Sequence, residues 1–346
     1  MSAHEFGNKD RYLAMLDHFD VMHETHLSES SRSAFGTLNN IKYALWCNNP
    51  HISAGSFDTQ AATDLNRFLL LCIEHEVETV ILFIDSAGVS LKDPQNGMAG
   101  VAQAIKLIHR LNMRPGCKTV SVIGETRGCF GGALLIAGAC QYQIAHPCAL
   151  IGVSGPQVIE SITGESRQGH MAIYTAAYRL STGEVSHLLT DQCLLNQVAI
   201  LPTRRLDFSF LCSLIDALPG QGACNRSSSG FDNEPISLGD LKETAAGLLH
   251  AQAGVLYLKG NAEQPFSFEN ERNGFSRYLK ALAATLRYRV ETGLQVDISV
   301  TAQGSGATFI AFSMMGSHLR IAPEAQVRAL PQVAVDRIVP ARTGAQ

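Results

Sequence analysis

A chain of 346 residues fits two domains of ordinary size, and its formal net charge of −4 argues against nucleic acid or an anionic membrane as the main partner. Hydrophobic residues make up 46% and charged residues 17%, so large cores and extensive protein–protein contact are expected. There is no run of roughly 18 apolar residues to cross a membrane, and the N-terminus lacks the apolar stretch of a signal peptide, which together predict a cytoplasmic protein.

Residues 1–35 are polar and amphipathic, with Tyr12, Met15, Leu16 and Phe19 at helical spacing, and predict an N-terminal helical segment. Short strands follow around Tyr43–Trp46, ending at ISAGSF (52–57). Asp58 or Thr59 then caps a helix running to about Glu76, whose buried stripe is Leu65, Phe68, Leu69, Cys72 and Ile73. Next comes a strand at 79–84, a Ser86-Ala87-Gly88 turn, a helix over 97–111 and a strand at 119–124. Thr119–Gly138 closes this unit: an apolar β-branched run, a polar turn, Gly128, Gly131 and Gly132, then a small apolar helix. Residues 141–155 read as short strands and 171–200 as helical. The Gly, Ser, Asn and Pro of 217–240 predict a linker.

The second half repeats the plan. Gly254–Leu258 is a strand, a turn starts at Gly260, Glu271–Val290 is a helix, and Val296–Met315 runs strand, turn, Gly304, Gly306, helix. The exits also match: Pro156-Gln157-Val158 in the first half, Pro331-Gln332-Val333 in the second. A repeat of this length indicates a duplicated domain, with boundaries at 36–216 and 241–346. The second copy is the shorter, and its missing tail predicts apolar surface for self-association or a partner subunit.

A strand that stops at glycines and restarts as a helix leaves backbone N–H groups unpaired. Without a Cβ, a ligand approaches them closely. Aimed at one oxygen, they form an oxyanion hole; the alternative is a tight turn packing a helix on a sheet. Other candidates are Glu160 as an acid or a solvated helix-start carboxylate, Lys92 as a phosphate partner or a surface lysine, Arg127 as a carboxylate partner or a structural ion pair, and Ser154 as a donor to a leaving carboxylate or a turn serine. None of the nine cysteines forms a CxxC pair and the twelve histidines show no metal spacing, so no metal is expected. Cys129, in the glycine turn, is a nucleophile only with a nearby base.

The words ISAGSF (52–57), DSAGVSLKD (85–93), GCFGGALLIAG (128–138), GVSGPQVIE (152–160) and STGEVSHLLTD (181–191) resemble the carboxyltransferase and decarboxylase branch of the crotonase superfamily. They are most similar to the β subunit of malonate decarboxylase, with a weaker γ-subunit resemblance over 240–340 carried by the glycine plan and LPQVAVDRIV (330–339). The resemblance implies an α/β fold of two crotonase-like spiral domains built from ββα repeats, the second shortened. It implies decarboxylation of a malonyl thioester carried on coenzyme A or on the phosphopantetheine of an acyl carrier protein, with no covalently bound cofactor. The oxyanion hole would combine Gly88 or Val89 with Gly131 or Gly132, Glu160 would serve as the acid, and Ser86, Lys92, Arg127, Ser154, Gly304 and Gly306 would bind substrate. Ala87 stands where the family has a glycine and Ser90 where it has an arginine. Two further functions fit the resemblance: another crotonase reaction such as acyl-thioester hydration or isomerisation, and a non-catalytic subunit of a carboxyltransferase complex.

Overall fold

The computed structural model describes residues 7–190, 193–220, 236–252 and 254–338. The fold is mixed α/β and opens with α1 (Asn8–Leu16), followed by β1 (Asp20–Ser28), β2 (Ser31–Leu38), β3 (Ile41–Asn48), α2 (Thr59–Glu74), β4 (Thr79–Ile84), α3 (Pro94–Met113) and β5 (Lys118–Ile123). The glycine turn holds β6 (Cys129–Phe130) and leads into α4 (Gly132–Ala139), β7 (Tyr142–Ala145), β8 (Ile151–Gly152) and α5 (Pro156–Thr163). After α6 (Ala176–Ser181) come β9 (His187–Leu188), α7 (Leu194–Ala199) and α8 (Phe208–Asp216).

Strands β1 to β5, β7 and β9 form one sheet in the order β1-β2-β3-β4-β5-β7-β9. The β1–β2 and β2–β3 pairs are antiparallel, and the rest of the sheet is parallel. The central strands are buried on both faces, which explains their unbroken apolar runs. Their alternate residues divide between two cores. Ile81, Phe83, Val120 and Val122 meet Tyr12 and Met15 of α1 and Leu194 and Val198 of α7. Val80, Leu82 and Ile84 face α2, α3 and α4.

The second half comprises α9 (Leu238–His250), β10 (Val255–Ala262), α10 (Phe268–Arg272), α11 (Phe275–Glu291), β11 (Gln295–Ser305), α12 (Gly306–Thr308), β12 (His318–Ile321), β13 (Gln326–Arg328) and α13 (Gln332–Ile338). Here β10, β12 and β13 all pair with β11 in parallel. The β11–β13 pairing at 303–305 is the counterpart of β6–β8. The matching exits become α5 and α13, which lie together, with the Arg337 guanidinium donating to the Ser161 carbonyl at 2.9 Å.

Three expectations need correction. The N-terminal helix covers only Asn8–Leu16, and Asp20–Leu38 is a hairpin on the sheet edge. The apolar spacing at 12–19 does describe a helical face, but it does not continue past Phe19. Residues 171–200 are broken rather than helical, with a left-handed glycine at Gly183 and β9 intervening. The expected linker loses its ends: α9 is already capped at Ser237, whose Oγ accepts the Asp240 N–H at 3.2 Å, and 221–235 lie outside the described residues.

Candidate active site

A cavity of about 510 Å³ lies where the two halves meet. The first half contributes Ala87, Gly88 and Val89 from the first turn, Phe130, Gly131 and Gly132 from the second, and Val153–Val158 around the start of α5. The second half contributes Gln264, Gly306, Ala307, Ala329 and Leu330. Arg167 and Met171 come from the stretch between α5 and α6.

The first turn is pinned from behind. The side chain of Asn48 donates to the Asp85 carbonyl and accepts the Asp85 N–H, both at 2.9 Å. The buried Asp85 carboxylate then accepts three backbone N–H groups of the second turn: Thr126 at 3.0 Å, Arg127 at 2.5 Å and Gly128 at 2.9 Å. Burial raises the pKa of this carboxyl, against the pull of those three N–H groups. One side chain thus fixes both turns relative to each other.

Of the four N–H groups considered for the oxyanion hole, two are already engaged. The Gly88 N–H donates to Ser86 Oγ at 3.1 Å. The Gly131 N–H donates to the Val153 carbonyl at 3.1 Å. Val89 and Gly132 line the cavity, and among the described residues neither N–H donates to an acceptor of the chain. Gly131 has φ of +55°. Only glycine adopts that positive φ cheaply, and α4 starts directly after it, with Gly132 in the cavity lining.

Ser154 and Gly306 also line the cavity, but the remaining candidates do not. Ser86 is fully buried and ties the turns together: its N–H donates to the Gly128 carbonyl at 2.8 Å and its carbonyl accepts from Phe130 at 3.2 Å. Lys92 is exposed outside the lining. Arg127 points away and donates to the Pro50 carbonyl at 3.2 Å. Gly304 lies within β11, where an added Cβ would strike the Phe309 ring. Glu160 faces outward on α5, 3.5 Å from Arg167, with its Oε1 accepting the Arg167 N–H at 3.1 Å. Cys129 is buried and its thiol is pushed well above the ordinary range by desolvation, so it is a core residue.

Sequence reasoning missed Arg167, Gln264 and a buried ionic network. Arg179 donates to Glu184 at 2.6 Å and to Glu271 at 2.8 Å, and all three side chains are at most 1% exposed. Glu271 in turn accepts the N–H groups of Val153 at 3.2 Å and Ser154 at 2.6 Å. A second-half carboxylate therefore holds first-half backbone at the cavity wall. Desolvation raises the Glu271 pKa, opposed by Arg179 and the Ser154 N–H. Gln264 was reachable from the repeat, since it follows β10 as Ser86–Val89 follows β4.

The fold and these turns are similar to those of the carboxyltransferase branch of the crotonase superfamily. It is similar to the Pseudomonas malonate decarboxylase MdcD–MdcE hetero-dimer, with 26% identity and a TM-score of 0.50 over 58% of this chain and 90% of that one. A second likeness, to a Pseudomonas malonate decarboxylase hetero-tetramer in complex with malonate, has 24% identity and a TM-score of 0.51 over 59% and 86% of the two chains. Among curated proteins it is 28% identical over 112 residues to the malonyl-S-ACP:biotin-protein carboxyltransferase MADC of Malonomonas rubra, covering 32% of this chain and 34% of that protein. It is 24% identical over 141 residues to the acetyl-coenzyme A carboxylase carboxyl transferase subunit beta of Fusobacterium nucleatum, covering 40% and 45%. The chain thus spans less than half the length of these curated relatives. No protein-family model matches it.

Proposed function

We propose that the chain decarboxylates a malonyl thioester to the acetyl thioester. The thioester oxygen sits between the N–H groups of Val89 and Gly132. The C–C bond to the carboxyl group breaks, CO₂ leaves, and the bonding pair moves onto the thioester oxygen as an enolate. Both donors are aimed at that developing charge, and one such donor is worth about 100-fold to 1,000-fold in rate. A proton from water completes the acetyl group. Before it leaves, the carboxylate lies at the start of α5, where Ser154, Gln157 and Arg167 all line the cavity. Arg167 then serves in place of the arginine that Ser90 replaces.

One observation carries this reading. The two free donors share a lining that, among the described residues, has no Asp, Glu, His, Cys or Lys. Hydration and isomerisation need a general base to take a proton. Decarboxylation supplies its own electron pair and needs none. Carboxyl transfer, in which the group passes to an acceptor, uses the same hole.

The carrier is coenzyme A or the phosphopantetheine of an acyl carrier protein, as the names of the Malonomonas and Fusobacterium relatives support. The hetero-dimer and hetero-tetramer of the Pseudomonas enzyme support a homo-oligomer or a partner subunit. We also propose that 36–216 and 241–346 are the two units of a duplicated architecture. The test is incubation of the protein with malonyl-coenzyme A and, separately, with malonyl carrier protein, read by mass. Loss of CO₂ from one of them is expected; an unchanged malonyl group on both carriers would refute the activity.

A further inference from the structure

We propose that Gln264, from the second half, is a positioning residue that fixes Ser154 as a hydrogen-bond donor to the carboxylate of the substrate; this rests on the malonyl-thioester reading above.

Gly131 and Gly306 share the same left-handed turn, with φ of +55° and +56°, so the Ala307 N–H is the counterpart of the Gly132 N–H. At the first turn that N–H has no acceptor among the described residues, and Gly132 lines the cavity. At the second it is taken: Gln264 Oε1 accepts the Ala307 N–H at 2.7 Å. The second turn is therefore closed by the chain's own carboxamide, whose oxygen occupies the position a carbonyl ligand would take.

The closure has a consequence on the other side of the amide. A backbone donor requires the oxygen of Gln264 to face Ala307, so its nitrogen faces Ser154, and Nε2 donates to Ser154 Oγ at 2.6 Å. The Gln264 N–H is itself held by Ser305 Oγ at 2.9 Å, and the residue is 3% exposed, so the carboxamide has little freedom to turn. Ser154 is 3% exposed and its own N–H is held by Glu271. With Oγ already accepting from Gln264, the hydroxyl proton is the one donor Ser154 has left to offer. Among the described residues it has no acceptor, and both side chains line the cavity. An acceptor-only group such as a carboxylate complements that proton.

The test uses the full chain, its Gln264→Met and Ser154→Ala variants and the double variant. Affinity for malonyl-coenzyme A and acetyl-coenzyme A is measured by calorimetry, with thermal unfolding of each preparation. These ligands differ by the carboxylate alone. A hydrogen bond to a charged group predicts that the unmodified chain prefers the malonyl ester by about 10-fold to 100-fold. Each single variant should lose most of that preference, and the double variant should lose no more than Ser154→Ala, because Gln264 acts through Ser154. The proposal is overturned if the unmodified chain shows no preference, including by binding neither ester. It is equally overturned if Gln264→Met keeps the preference while only its melting temperature falls, or if the two losses add. A chain that prefers the malonyl ester but releases no CO₂ defeats the decarboxylation reading and leaves the role of Gln264 standing.

Discussion

A Cβ added at Gly132 would meet the Val89 side chain at 2.8 Å and the Val101 side chain at 3.2 Å. Gly132→Val therefore reaches the core as well as the ligand. From the sequence, such a variant is expected to lose turnover with its fold nearly intact; the packing instead predicts that melting temperature falls along with activity, by the 1–3 kcal/mol (about) typical of overpacking. Thermal unfolding and turnover on one preparation decide it, and an unchanged melting temperature would contradict the packing argument. Arg167 gives a cleaner probe. It is 45% exposed at the rim and paired with a Glu160 that is 37% exposed, a contact of small energetic worth. Arg167→Met should leave the melting temperature alone and raise KM for the malonyl ester more than it lowers kcat; a loss confined to kcat would instead place the guanidinium at the reacting carbon. At this scale the cavity positions of Gly88, Gly131, Gly132, Gly306 and Ser154 were legible because turn chemistry leaves a local mark, while Gly304 lies outside the lining. Arg167 was not. It opens a 3-10 helical stretch, Arg167–Tyr174, after a polar turn beyond α5, and nothing within a few residues of it tells which way the chain turns back.

The network of Arg179, Glu184 and Glu271 joins three elements: α6, the loop after it, and α10. Arg179 also donates to the Ile151 carbonyl at 3.0 Å, so the same guanidinium braces β8. Breaking a buried ion pair by removing one partner costs about 3–5 kcal/mol, because the abandoned charges stay buried. Arg179→Met should lose that much in chemical denaturation; a variant as stable as the parent would show that the carboxylates simply take up protons. A second element-scale prediction concerns α3. His109 is 3% exposed and, among the described residues, its Nδ1 has no hydrogen-bond partner. Desolvation, with the nearby Arg287 and Lys280 cations, lowers its pKa to about 3. An unfolded histidine titrates near pH 6.5 (about). Below that pH the unfolded chain binds a proton that the folded one refuses, so this contribution to stability is lost as pH falls from about 6.5 towards about 3. His109→Leu should flatten the decline in melting temperature over that window, and an identical slope in both proteins would rule the residue out. Helices such as α2 and α3 were legible from their apolar stripes. The hairpin at Asp20–Leu38 was not, because its identity rests on pairing with β3, a partner outside its own stretch.

At the scale of the molecule, one apolar core runs from Ala44 and Trp46 in the first sheet to Phe312 and Met315 in the second half. The recurring order of strand, helix and glycine turn was readable in the sequence, and the elements of both halves follow it. That the copies close on one cavity was not, because the residues in contact stand more than 100 positions apart, as Gln264 and Ser154 do. A shared core predicts a single cooperative transition. Trp46, the one tryptophan of the chain, reports on the first half by fluorescence, while circular dichroism reports on the whole. Coincident denaturation curves are expected; a second transition seen only by circular dichroism would mean that the halves melt separately.

The shared wall also has a consequence for stoichiometry. Gln264, Gly306 and Leu330 stand on the same polypeptide as Gly88 and Gly132. Linking two modules replaces their bulk concentration with an effective one in the millimolar range (roughly) for a short tether. Every copy translated therefore carries both sides of the cavity in a one-to-one ratio. Dilution to trace amounts cannot strip one side of the wall from the other.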